Sequence, residues 1–170
     1  MKKLLLTLAV CCLTAGFTYA QDSNQLLNIL IKHWETSKQF SIAVADAMPA
    51  DQYSTQPAPP EKTFGGLVNH IASANGFYCS VALGTENPIG KTADDSKDAA
   101  IKNLTKSYDY CIDGLKKMSE ADLMKTHGKG SRQMTAFEAF WGAFTHAAHH
   151  RAQLEVFLRL KGQQPPEYKF

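Results

Sequence analysis

The sequence predicts an all-α four-helix bundle. Three observations carry that reading. Apolar residues recur at alternating steps of three and four in four separate stretches, each stretch is bounded by capping or breaking residues, and no alternating strand pattern lies between them. Helices are expected over roughly 23–48, 64–83, 96–118 and 136–161.

Residues 1–20, MKKLLLTLAVCCLTAGFTYA, stand outside this pattern. Lys2 and Lys3 form a basic start, Leu4 to Gly16 is an apolar run, and Thr18-Tyr19-Ala20 offers small residues for cleavage before Gln21. The stretch reads as a secretory signal peptide, so residues 21–170 form a single exported domain, periplasmic or secreted. An acylated Cys11 or Cys12 fits less well, because Val10 occupies a position where a small residue is expected. Lys2 and Lys3 leave with the signal, which reduces 18 basic residues to 16, equal to the 16 acidic ones. The mature chain is therefore neutral, with no basic cluster suited to nucleic acid and no further membrane span.

The first helix is expected from Ser23 as N-cap through LLNILIKHWETSKQFSIAVADAM, with Pro49 marking its end. Four of the seven prolines fall in PADQYSTQPAPPEK, which reads as a connector. Thr63 caps the second helix, which carries Phe64, Leu67, Ile71, Ala74, Tyr78 and Val81 along one face and closes at Gly84. A polar loop, TENPIGKTADD, leads to Ser96 and the third helix, with Ile101, Leu104, Tyr108, Cys111, Leu115 and Met118 in line. Ser119 to Asp122 resembles a short capping turn, and Lys125 to Arg132 reads as an exposed basic loop. Thr135 and Glu138 form a capping box for the fourth helix, which Gly162, Pro165 and Pro166 close.

On that last helix one face runs Ala139, Ala143, His146, His150, Gln153, Phe157, Leu160. His146 and His150 lie one turn apart, about 6 Å, the spacing at which two imidazoles of one helix reach a single metal ion. A catalytic zinc takes three protein ligands and keeps one position open. His70, three residues after Leu67 and four before Ala74, faces inward and supplies the third. Taken singly, the pair also fits a polar surface patch and His70 a hydrogen-bonded core residue. Together they favour a metal, because three unpartnered imidazoles in a core cost about 1–3 kcal/mol each. Gln153 and His149 are candidates to orient a ligand or move a proton. Arg151 fits a structural salt bridge, and Phe140, Trp141 and Phe144 fit core packing. His33 has no partner at ligand spacing, and His127 falls in the basic loop. Ala147 stands where a helical zinc protease carries its Glu, which rules out that route of peptide hydrolysis.

MPADQYSTQPAPPEKTFGGLVNHIASANGFY, the third-helix pattern and THAAHHRAQLEVFLRLKG together resemble the DinB/YfiT-like family over nearly all of the mature chain. The resemblance implies one divalent ion, zinc or nickel, on His70, His146 and His150. Where the family often shows H-R-G-Q, this chain has His150-Arg151-Ala152-Gln153, which leaves the ligands intact. It also implies that helices two and three run parallel, bringing Cys79 and Cys111 to one height for a disulfide. The 12-residue loop from Gly84 to Asp95 reaches about 40 Å when extended, enough to return along a helix.

Two functional readings follow, beside a purely structural one in which the ion only bolts helix two to helix four. One is a metal-dependent hydrolase or thiol/group transferase acting on a small molecule. The other is a non-catalytic metal- or ligand-binding protein of the cell envelope. A homodimer is compatible with either; the substrate is not written in the sequence.

Overall fold

The computed structural model describes residues 24–90 and 93–169. The expected signal at 1–20, the alternative lipid sites Cys11 and Cys12, and Ser23 lie outside the described residues. Among the described residues there are five α-helices: α1 (Gln25–Asp46), α2 (Phe64–Leu83), α3 (Lys97–Leu115), α4 (Glu120–Leu123) and α5 (Ala136–Leu160). Four are long and correspond to the expected stretches. The additional α4 is the Ser119–Asp122 turn, which forms a complete capping box around one helical turn.

Local chemistry explains most of the boundaries. Thr63 accepts from the Gly66 amide at the start of α2, and Gly84 closes that helix in the left-handed region at φ 63°. Thr135 and Glu138 form the capping box of α5. Three expectations are corrected. Asn24 holds the N-cap position of α1, and the helix stops at Asp46, because Pro49 disfavours helical backbone in the residue before it. Ser96 makes no side-chain cap at α3; its amide instead donates to Asp94 Oδ1 at 2.9 Å. The basic loop is closed by a two-residue antiparallel ladder, β1 (Thr126–His127) near its start pairing with β2 (Met134–Thr135) just beyond its end, too short to leave an alternating pattern in the sequence.

Each long helix packs on two others: α1 and α2 both pack on α3 and α5. The contacts fix the directions. Between α2 and α3, Asn69 meets Asn103, Asn75 meets Ser107 and Cys79 meets Cys111, so both numbers rise together and the helices run parallel. The ion pairs Asp46–Lys97 and Glu35–Lys116 run in opposite order, making α1 and α3 antiparallel. Phe64 lies against Phe157 while a side chain at Gly142 would touch Tyr78, so α2 and α5 are antiparallel as well.

The parallel pair requires the return loop that the sequence contains, and two glycines let it lie close to α2. A Cβ at Gly65 would collide with the Asp95 carbonyl, and one at Gly76 would come within 2.7 Å of the Ile89 side chain. α2 therefore buries two faces. Besides Phe64, Leu67 and Ile71 towards α5, it buries Val68, Ala72, Asn75, Cys79 and Ala82 towards α3. Cys79 and Cys111 are joined in a disulfide on that second face. Trp34, fully buried, makes edge contacts with Tyr108 at 5.7 Å and Phe140 at 6.0 Å, tying α1 to α3 and α5. Arg151 is also buried, but not in the expected salt bridge. It donates to Ser37 and Ser41 Oγ and lies 4.5 Å from the Phe40 ring centre. Phe140 is buried, whereas Trp141 is 52% exposed, correcting its placement in the core.

Candidate metal centre

Small residues lie beside the histidines of α5. Ala139 and Ala143, which precede His146 on its stripe of α5, are fully buried, as is Ala147 on the neighbouring face with Phe140 and Arg151. His70 reaches across from α2, and His146 and His150 project from successive turns of α5. The three rings lie 4.8 Å (His70–His146), 4.7 Å (His70–His150) and 4.4 Å (His146–His150) apart, centre to centre. All three are half-buried, and one ligand nitrogen of each falls within 4.8 Å of the other two. Among the described residues no other set of three His, Cys, Asp or Glu side chains gathers in this way.

The nitrogen geometry tests whether this set fits a metal ion. Two ligands at zinc–nitrogen bond length, held tetrahedrally, stand about 3.3 Å apart. His70 Nε2 and His146 Nε2 are 3.2 Å apart. Closing the widest pair calls for at most about 1.5 Å of side-chain adjustment. The donor set is also chemically right: three imidazoles with no carboxylate in the group. The residues fit a divalent ion.

Electrostatics keep the ligands available. Burial, and then His150, His70 and His149 beside it, push the His146 pKa down to about 4. Burial, His150 and Lys62 lower that of His70. Both rings are thus neutral near pH 7, the form that binds metals. His146 Nδ1 is buried without a hydrogen-bond partner, so the protein spends no contact on that ring's far nitrogen.

Gln153 reaches the cluster as an acceptor: His150 Nδ1 donates to Gln153 Oε1 at 2.6 Å. That bond fixes the tautomer with the Nε2 lone pair free. His149 is exposed and touches the cluster only through its ring contact with His150 at 4.8 Å. Neither His33 nor His127 joins the group.

Two clefts open beside the histidines. One, of about 400 Å³, includes His70, Asn69, Asn103, Asp95 and Thr63; the other, of about 340 Å³, includes His150, Gln153, Leu67, Val156 and Phe157. Lys62 borders both. The polar wall is a network in which Asn103 donates to Asn69 Oδ1, and Asn69 donates to Asp95 Oδ1 at 2.8 Å and to the Asp94 carbonyl. Sequence reasoning assigned no role to Lys62, Asp95 or Asn103 and gave Asn69 none beyond its helix. The one available signal was Asn69 itself, a polar residue on the buried stripe with Val68 and Ala72.

The model of the DinB superfamily matches residues 33–154. Among solved structures, a DinB-like protein of Bacillus subtilis is 22% identical with a TM-score of 0.68, covering 82% of this chain and 95% of its own. A DinB-like protein of Bacillus cereus is 20% identical with a TM-score of 0.70 and the same coverage. These two share the fold. No curated protein matches.

Proposed function

This chain belongs to the DinB superfamily, and on that premise we propose that it is an exported metal-dependent enzyme, a hydrolase or a thiol/group transferase. Its ion is zinc or nickel, held by His70, His146 and His150. The observation that carries this reading is the convergence of the three imidazoles, with two ligand nitrogens 3.2 Å apart.

A divalent ion there supplies Lewis acidity toward a water or a substrate donor group. The protein contributes the rest. His70 and His146 remain neutral, Gln153 holds His150 in the metal-binding tautomer, and the two clefts admit a small molecule to the exposed side of the cluster. Lys62 adds positive charge at the junction of the clefts. Export is supported by the signal-like stretch at 1–20 and by the Cys79–Cys111 disulfide, a bond that persists in oxidising compartments.

Elemental analysis of the mature protein, purified without a histidine tag, tests the reading. One equivalent of zinc or nickel is expected, lost in His146→Ala and His150→Ala while the helical circular dichroism persists. A tightly held equivalent in the double variant removes the site. Turnover of an ester, amide or thiol-acceptor panel by the loaded protein identifies the reaction class. Stoichiometric metal with no turnover across the panel establishes the non-catalytic binder instead.

A further inference from the structure

We infer that the ligand of this site is a small amphipathic molecule with an ionised donor group, its apolar arm lying along the α5 cleft and its polar arm in the cleft beside α3. The inference rests on the metal reading above and assigns the substrate class. His70 borders one cleft and His150 the other, so the histidine cluster lies where the two meet. Each cleft is near the lower end of the roughly 300–1,000 Å³ range of small-molecule sites. Together they suit a molecule that extends to both sides of the metal.

The two walls differ in chemistry. On the α5 side Leu67, Val156, Phe157 and Leu160 form an apolar surface. Val156 is 53% exposed and Leu160 67% exposed, so neither is explained by core packing. On the α3 side Asn69, Asn103, Thr63 and Asp95 present amides, a hydroxyl and a carboxylate. A single-natured ligand would leave one wall mismatched, with apolar surface against polar groups or polar groups stripped of partners.

Charge fixes the donor group. Lys62 borders both clefts and makes no ion pair among the described residues. The acidic groups facing it are Asp95, already bound by Asn69 and Thr63, and Glu61 at the edge of the apolar cleft. With neutral imidazoles around a dication the junction is cationic, which favours an anionic head over a neutral or basic one.

Alkyl hydroxamates provide the probe, since the head binds zinc as an anion and the tail length varies freely. Calorimetric titration of the zinc-loaded protein is expected to show octanohydroxamate binding at least tenfold tighter than acetohydroxamate. Full burial gives a factor of roughly four per methylene, so a tenfold gain needs only part of the tail in the cleft. The double variant Val156→Ser, Leu160→Ser, both at exposed positions and neutral so that the charge at the junction is kept, is expected to abolish that gain while zinc content and acetohydroxamate affinity stay unchanged. Lys62→Gln is expected to weaken both hydroxamates by a similar factor. Equal affinities along the series in the native protein, a gain that survives the double variant, or indifference of both hydroxamates to Lys62→Gln overturns the inference and leaves the metal site standing. Absence of bound zinc in the native protein, read separately by elemental analysis, overturns both.

Discussion

His146 shows how a single residue serves the candidate site at a stability cost. Its pKa of about 4 in the folded protein lies below the ordinary histidine value of about 6.5, because burial and three neighbouring imidazoles oppose its protonation. The unfolded chain therefore binds a proton that the folded chain refuses. The stability that this group contributes to the metal-free protein is fully present above about pH 6.5 and is lost as the pH falls toward 4. His70, lowered in the same direction, adds to the slope. The carboxylates Asp122, held by Lys125 and Ser119, and Glu138, held by Thr135, are also lowered and contribute only at more acidic pH, as carboxylates of the unfolded chain take up protons near pH 4. Urea midpoints of the metal-free protein should thus fall between pH 6.5 and 4.5, and His146→Gln should flatten that fall. An unchanged slope in the variant would mean that other groups carry it. A second expectation concerns Gln153, whose removal frees the His150 ring to rotate and to change tautomer. Gln153→Ala should weaken zinc binding by about 10- to 100-fold with no loss of helix, measured by competition with a chelator of known affinity. The convergence of the histidines was legible in the sequence because a helix converts a spacing of four into a shared direction. Asn103 and Asp95 were not, because they reach the site from α3 and its preceding loop, and no local pattern encodes that approach.

At the level of elements, the site depends on how closely the loop before α3 crosses the start of α2. Gly65 permits the crossing, since any side chain there meets the backbone of Asp95 rather than a flexible side-chain end. Gly65→Ala should therefore shift the Asp94–Asp95 segment and destabilise the fold by about 1–3 kcal/mol, the usual range for overpacking. Because Asn69 donates to both of those residues, the same substitution should disturb the polar cleft while sparing the three histidines. Chemical denaturation together with zinc stoichiometry checks this: reduced stability with a full equivalent of zinc is expected, and native stability would remove the argument. Helix positions were readable from caps and breakers, as Thr63, Gly84 and the Thr135–Glu138 box illustrate. The second buried stripe of α2 was harder to see. Gly76 and Asn75 weaken its apolar signal, and both are there for neighbours that the helix does not know about: the passing loop and Ser107. The β1–β2 ladder was invisible for a simpler reason, as two residues per strand cannot establish a period.

On the scale of the whole molecule, α2 is the shared element, packed on α3 along one face and on α5 along another. The disulfide fastens the first contact and the three-histidine cluster lies across the second. This arrangement makes the two fastenings separable. The disulfide closes a loop of 32 residues, for which chain-entropy arguments give about 4 kcal/mol, with typical measured values of about 2–4 kcal/mol. Zinc at 1,000 times its dissociation constant adds about 4 kcal/mol if it binds only the folded chain. His70 and Cys79 stand nine residues apart, about 13 Å along the helix, beyond the distance at which effects usually couple. The contributions should therefore add to within about 0.5 kcal/mol. Each kilocalorie moves the melting temperature of a domain this size by about 2–4 °C. Thermal unfolding of four samples decides the matter: native protein with zinc, native protein with chelator, and the Cys79→Ala, Cys111→Ala variant in both conditions. Equal zinc increments in the native and disulfide-free proteins are expected, together with their loss in His70→Ala. A zinc increment that persists in His70→Ala would mean that the ion does not bridge α2 and α5. An increment that vanishes with the disulfide would mean that the α2–α3 contact, rather than the histidine cluster, sets the geometry of the centre.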